Sequence, residues 1–307
     1  MRYYITPEWE LTSEISIAGD REDARDSRQQ RFTEAVMASQ MAAAPVEDDT
    51  ALLIESRDAE GVLRLVLNRP AARNALSMAL MGALIDALDR AAQDHETRVV
   101  VIAGSGVGFC PGHDLREIRA DPSADASKRI FNRCSEMMQK VVRLTKPVIA
   151  EVHGIATAAG CQLVASCDLA VAAEDATFAT SGINVGLFCS TPMVALSRAV
   201  PRKAAMQMLL TGDFINAQTA KSLGLVNEVV PRQELRAATD ALAHKVAAKS
   251  MAAIALGKEA FYRQIEMGLS AAYAYTSEVM TRNMLAEDAK EGIDAFIAKR
   301  KPVWRDA

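Results

Sequence analysis

No apolar run in this 307-residue chain approaches the roughly 20 residues of a membrane span, and no Lys/Arg block offers a track for a phosphate backbone. Neither a membrane nor a nucleic acid is therefore an expected partner. The five cysteines, Cys110, Cys134, Cys161, Cys167 and Cys189, include no C-x-x-C pair. Zinc and dithiol-redox spacings are thereby excluded; the thiols read as reduced, and no metal is expected. There is no G-x-S-x-G elbow, no H-E-x-x-H and no P-loop, which removes the commonest serine-hydrolase, zinc-protease and NTPase readings. Gly104, Gly106 and Gly108 follow a hydrophobic run, but a dinucleotide-binding G-x-G-x-x-G would need its last glycine where Phe109 stands.

What is present is a chain half hydrophobic with a formal net charge of only -4, enough to bury one large core. Residues 1–48 read as an extension: Asp20 to Arg31 is almost all polar, and the small-residue run Met41 to Pro45 closes the stretch. Its acids, among them Glu8, Glu10, Glu14, Glu22 and Asp26, argue against a mitochondrial transit peptide, and a cytoplasmic location is expected.

Beyond it, short apolar runs at 51–56, 62–67, 98–103, 147–152 and 169–173 read as strands. Between them, 77–94 carries Leu80, Leu84, Ile85 and Leu88 at helical spacing, and 127–144 repeats the pattern with Ile130, Met137 and Val141. This alternation predicts an α/β core over 49–230. Strand signals then thin out, and helices are expected at 190–211, 216–224, 231–250, 251–268 and 271–299, with 231–307 as a helical C-terminal region.

Three segments carry chemistry: Asn68 to Leu76 (NRPAARNAL), Arg98 to Ile118 (RVVVIAGSGVGFCPGHDLREI) and Lys146 to Asp168 (KPVIAEVHGIATAAGCQLVASCD). The second and third each bring backbone N–H groups to the end of a strand, where small residues let a ligand approach the main chain. If the N–H groups of His113 and Ala159 point at one place they form an oxyanion hole for a thioester carbonyl, reinforced by the helix opening near Gly160.

In this order and spacing the three segments resemble the crotonase (enoyl-CoA hydratase/isomerase) superfamily, over roughly residues 50–305. The runs ATAAGCQLVASCD and FATSGINVGLFCSTP most resemble its branch called enoyl-CoA hydratase domain-containing protein three. The resemblance implies a spiral of repeated β-β-α units, a helical C-terminal trimerisation region, and a homotrimer or homohexamer acting on acyl-CoA or enoyl-CoA in fatty-acid metabolism with no other cofactor. Carried over by position, it places the oxyanion donors at the amides of His113 and Ala159. It implies CoA contacts at Arg73, Ala75, Cys110 and Arg116, with Phe296 and Lys299 reaching the CoA of a neighbouring subunit.

The sequence departs from the family at the acids. Hydration of an enoyl thioester needs carboxylates to deprotonate water and deliver a proton, and the family's two glutamates fall here on Gln162 and Gly182. Neither replacement can transfer a proton near neutral pH. Ser190, with Cys189 beside it, is the candidate substitute, set against a capping or packing role. Two functions follow: a hydratase/isomerase-like enzyme whose ordinary hydratase activity is weak or absent, and a non-catalytic acyl-CoA-binding or regulatory oligomer. Restoring glutamate at both positions is expected to raise hydration.

Overall fold

The computed structural model describes residues 51–306; the extension expected at residues 1–48 lies outside them. Five strands fall where apolar runs announced them: β1 (Leu53–Arg57), β2 (Val62–Leu67), β3 (Val99–Gly104), β4 (Val148–Val152) and β6 (Leu169–Ala173). With β9 (Glu228–Val230) they form one sheet in the order β1-β2-β3-β4-β6-β9, antiparallel at β1–β2 and parallel beyond. The central run VVVIAG is buried along almost its whole length, as a parallel strand covered on both faces requires. A second sheet joins the short β5 (Ile155–Thr157), β7 (Thr177–Ala179) and β8 (Ile215–Asn216) in the order β5-β7-β8. Strands of two or three residues give no readable periodicity, and the sequence did not announce them.

One face of the larger sheet is covered by α1 (Met78–Gln93) and α3 (Ala124–Arg143), which bury Leu80, Leu84, Leu88, Ile130, Met137 and Val141 with Leu65, Leu67 and Ile102. Ser77 caps α1 through Leu80 N at 3.2 Å. Ser123 caps α3 in the same way through Ala126 N, so the helix starts three residues before the expected 127. The opposite face presents Val62, Val99, Val101 and Ile149 to Ala243 and Ala247 of α8 (Leu235–Ala247). On that face Arg64, 3% exposed, reaches Glu151 and Asp240 at 2.6 Å each and ties α8 to the sheet. Removing one partner of such a buried group costs about 3–5 kcal/mol, because the other charge is left without compensation.

The chain winds as repeated β-β-α turns, the best defined being β4, β5 and α4 (Ala159–Ser166). The helical stretch expected at 190–211 is divided at Pro201, the separator its sequence offers, into α5 (Pro192–Ala199) and α6 (Arg202–Thr211); α7 (Ala217–Ser222) follows. In α9 (Met251–Gln264), Lys258 Nζ donates to Asp168 Oδ2 at 2.6 Å and the Tyr262 hydroxyl to Asp168 Oδ1 at 2.9 Å, which fixes this helix to the start of β6. The single helix expected at 271–299 is also two, α10 (Leu269–Leu285) and α11 (Glu287–Ile297). They part at Ala286, which is extended with ψ 149°. No Gly or Pro marks the break. It is held by Asp288, whose carboxylate accepts the N–H groups of Arg305 and Asp306.

The layout, β-β-α turns followed by a helical C-terminal region, is the one the resemblance implies. The outer faces of α9, α10 and α11 leave large apolar side chains in solvent, among them Phe261, Leu269, Tyr273, Leu285 and Phe296. Among the described residues no helix is long and apolar enough to cross a membrane.

Candidate functional site

The site is built from backbone. After β3 the chain runs to Cys110, whose N–H donates to Ile155 O and whose carbonyl accepts from Thr157 N, both at 3.0 Å. This brings Pro111–Gly112–His113 alongside the start of α4. Gly160 lies against the same strand so closely that a Cβ there would fall 2.0 Å from Cys110 O, so only glycine fits. Gly112 has φ +105°, and a Cβ built on it would lie 3.0 Å from Ala158 Cβ and 3.2 Å from Ala159 N.

Two N–H groups are left over at this junction. Leu76 N donates to Gly112 O at 2.8 Å and Asp114 N to Leu76 O at 3.1 Å, which skips the N–H of His113. Ala159 is the first residue of α4, so its N–H has no acceptor within the helix. Among the described residues neither N–H donates a hydrogen bond. Buried donors without acceptors are rare, and two beside a helix N-terminus suit an oxygen that carries or develops negative charge. The turn has a cost: the positive φ falls on Ala158, at φ 50° and ψ -118°, and not on Ala159. The hydrogen bond from Ala158 N to Ala179 O at 3.0 Å helps to hold it.

Around the junction stand neutral polar groups. Gln162, on the first turn of α4, is 4% exposed, and its terminal amide makes no hydrogen bond among the described residues. Thr180 Oγ1 and His113 Nε2 are likewise buried without partners. The His113 ring meets Phe131 edge-on at 5.4 Å, and burial pulls its pKa down to about 4, leaving a neutral imidazole at neutral pH. Thr157 Oγ1 and Ser181 Oγ share a hydrogen bond of 2.7 Å. Asp114, the nearest carboxylate in sequence, caps α2 (Leu115–Ala120) by accepting from Arg116 N at 3.1 Å and pairs with Arg69 at 2.9 Å.

Gly182 lies in a tight turn, Ser181–Val185, closed by Gly186 at φ 78°. Ser190 lies eight residues on, beyond that turn. Ser190 is exposed and its hydroxyl donates to Phe188 O at 3.3 Å, while the thiol of Cys189 is buried and its pKa raised by desolvation. A protonated, enclosed thiol is a poor nucleophile, and no base stands beside either residue in these contacts.

The expected CoA contacts are placed unevenly. Arg73 takes a left-handed conformation at φ 52°, is half-buried, and has no side-chain partner among the described residues. Arg116 is half-buried with its guanidinium unpaired in the same sense. Ala75 is 5% exposed. Cys110 is fully enclosed, its thiol pushed up to about 12 by burial, and its backbone is engaged with β5. Phe296, 83% exposed, and Lys299 stand at the end of α11, which packs on α9 and α10. Sequence reasoning missed Arg69, which braces the first segment by donating to Ala75 O and Asp114; nothing in NRPAARNAL distinguishes it from Arg73.

A cavity of about 1150 Å³ lies between α3, α4, α5 and α9. Gln162 is the lining residue of α4 nearest to Ala159.

The family model described as enoyl-CoA hydratase/isomerase matches residues 57–307. A Xenopus laevis protein named enoyl-CoA hydratase domain-containing protein 3, mitochondrial, is 50% identical over 244 residues, 80% of this chain and 83% of that protein. The human protein of the same name is 47% identical over 249 residues, 81% and 82% of the two chains. A crystal structure of an enoyl-CoA hydratase from Mycobacterium smegmatis superposes with a TM-score of 0.82 at 55% identity, covering 83% of this chain and 99% of that one. The expected cytoplasmic location is corrected by the two named relatives, both mitochondrial by name. That expectation rested on acids within residues 1–48, a stretch outside the matched region, and acid content there weighs against only one layout of leader.

Proposed function

The chain belongs to the enoyl-CoA hydratase/isomerase family, and from that premise we propose that it binds an acyl-CoA or enoyl-CoA thioester with the carbonyl oxygen between the N–H groups of His113 and Ala159. The observation that carries this reading is the pair of unpaired amides at the junction of Gly112 and α4. An oxygen held there is polarised by two donors and by the positive end of α4. Arg116 and Arg73, which flank the same loops and have no side-chain partner among the described residues, supply charge for the nucleotide phosphates, and no further cofactor is required.

A polarised thioester is only part of hydration. One positioned proton-transfer group is worth about 10²–10⁴ in rate, and the positions of both acids carry Gln162 and Gly182. Ordinary hydration of crotonyl-CoA is therefore weak or absent. A second reading, a non-catalytic acyl-CoA binder, draws support from Gly182, where backbone leaves no space for an acid side chain. In either case the assembly is a homotrimer or homohexamer that covers the apolar outer faces of α9, α10 and α11 and places Phe296 and Lys299 at a neighbouring site.

The test is calorimetry with crotonyl-CoA and butyryl-CoA, run beside a hydration assay on the same preparation. Saturable binding with hydration orders of magnitude below an ordinary hydratase is expected. Hydration at an ordinary enzyme's turnover would mean that an unrecognised acid does the work, and absence of binding would remove the thioester reading altogether.

A further inference from the structure

Away from the thioester site, three side chains that can each give a metal ion a ligand atom converge: Asp58 and Glu60 in the turn between β1 and β2, and His244 on α8. Their ligand atoms all lie within 4.8 Å of one another. His244 Nε2 stands 2.8 Å from Asp58 Oδ2 and 3.9 Å from Glu60 Oε2. The turn aims the first of these oxygens. Asp58 Oδ1 accepts the N–H groups of Glu60 at 3.1 Å and Val62 at 2.8 Å, which fixes the carboxylate and leaves Oδ2 facing α8. The arginines nearby are committed elsewhere: Arg57 pairs with Asp94 and Glu96, Arg64 with Glu151 and Asp240, and Arg236 with Asp240. Among the described residues Asp58 and Glu60 pair with no cation other than His244.

We propose that Asp58, Glu60 and His244 form a site for a divalent transition-metal ion of the zinc class, which ties the β1–β2 turn to α8. Distance sets the fit. Tetrahedral ligands at about 2.0–2.2 Å from such an ion stand about 3.3–3.6 Å from one another. The two separations from Nε2 fall on either side of that range, and shifts of about half an ångström in solvent-reaching side chains bring them into it. Chemistry sets the ion. An imidazole with two carboxylates suits zinc, whereas magnesium and calcium take oxygen ligands. Two carboxylates also balance the charge of a divalent ion, which one imidazolium does only by half. All three side chains reach solvent, so water completes the coordination. Asp58 and His244 are 186 residues apart, so no motif spacing announces a site that the fold assembles from an edge hairpin and a distant helix. The face of the sheet that α8 covers is opposite the one packed with α4, and the metal site shares no residue with the thioester site.

The experiment is calorimetric titration of the intact, metal-stripped protein with zinc chloride, repeated on His244→Gln and Glu60→Gln and followed by thermal unfolding with and without zinc. A proton competes with the metal for Nε2, and the hydrogen bond to Asp58 raises the pKa of His244 above its usual 6.5, so the titration is run at about pH 8. The parent is expected to take up one zinc ion per chain with a Kd of order 10 µM, weaker than an enclosed four-ligand site. Zinc at about a hundredfold excess over that Kd is expected to raise the melting temperature by about 5 °C, and magnesium at the same concentration to leave it unchanged. Glu60→Gln, whose side chain has no partner but His244 among the described residues, is expected to weaken zinc binding about tenfold, and His244→Gln by more. Crotonyl-CoA affinity is expected to be the same in all three proteins. A parent with no saturable zinc uptake would reduce the cluster to a surface ion pair and overturn the proposal, and zinc held equally by parent and variants would place the ion elsewhere and overturn it too. Either result leaves the thioester reading standing.

Discussion

Gly182 and Cys189 compete for one volume: a Cβ on Gly182 would lie 2.8 Å from Cys189 Sγ and 2.5 Å from the carbonyl oxygen of Leu187. A thiol can rotate aside, but a carbonyl moves only with its backbone. Restoring both glutamates, expected from sequence to raise hydration, therefore meets an obstacle at this position. Gly182→Glu is expected to destabilise the fold by about 2 kcal/mol, in the range of overpacking, and to add no hydratase activity alone or with Gln162→Glu. Urea unfolding of the parent and variant checks the first part; a Gly182→Glu protein as stable as its parent would show that the turn yields freely.

The strain at Ala158 can be measured in the other direction. A non-glycine residue at φ 50° and ψ -118° sits in a region that costs of order 1–3 kcal/mol, whereas glycine there costs about 0.5–1 kcal/mol of unfolded-chain entropy. Ala158→Gly is expected to stabilise the protein by about 1 kcal/mol and to leave thioester affinity unchanged, because the N–H of Ala159 keeps its place. Thermal unfolding with and without crotonyl-CoA reports both quantities. A loss of stability would show that the Ala158 methyl packs better than its backbone is strained.

The strands were legible because Val62–Leu67, Val99–Gly104 and Leu169–Ala173 are buried apolar runs bounded by turns. The polypeptide pattern also put His113 and Ala159 in the small-residue loops that follow strands and lead into helices. What it could not carry is anything that depends on approach between distant segments. The contact of Gly160 with Cys110 O, the occupation of the space beside Gly182, and the enclosure of Cys110 follow from packing distances. The split at Ala286 is similar: a tertiary anchor on Asp288 overrides a local sequence that would continue as helix.

His113 gives the fold a pH dependence of defined sign. Burial depresses its pKa from the usual 6.5 to about 4, so the unfolded chain binds the proton more readily than the folded one. Stability from this group is fully present above pH 6.5 and is lost as pH falls toward 4. Between pH 7 and pH 4.5 the parent is expected to lose about 2 kcal/mol more than His113→Leu, read as the difference between their urea midpoints at the two pH values. Parallel losses in both proteins would mean that the ring reaches water when protonated.

Three arginines flank the first two segments, and their partners separate them. Arg69 is committed, donating to Ala75 O at 2.5 Å and to Asp114 at 2.9 Å, so it braces the loop. Arg116 has no side-chain partner among the described residues although it is half-buried, and Arg73 is in the same state. A guanidinium kept unpaired near a loop suits a phosphate, to which it can donate two hydrogen bonds at once. Arg116→Ala is therefore expected to weaken crotonyl-CoA binding about tenfold, a loss of about 1.4 kcal/mol, while a crotonyl pantetheine thioester lacking the nucleotide changes by less than about twofold. Arg69→Ala should weaken both ligands together, because it loosens the loop that positions the His113 amide. Titration of the three proteins with the two thioesters makes the comparison, and equal weakening of both ligands by Arg116→Ala would remove Arg116 from the phosphate site.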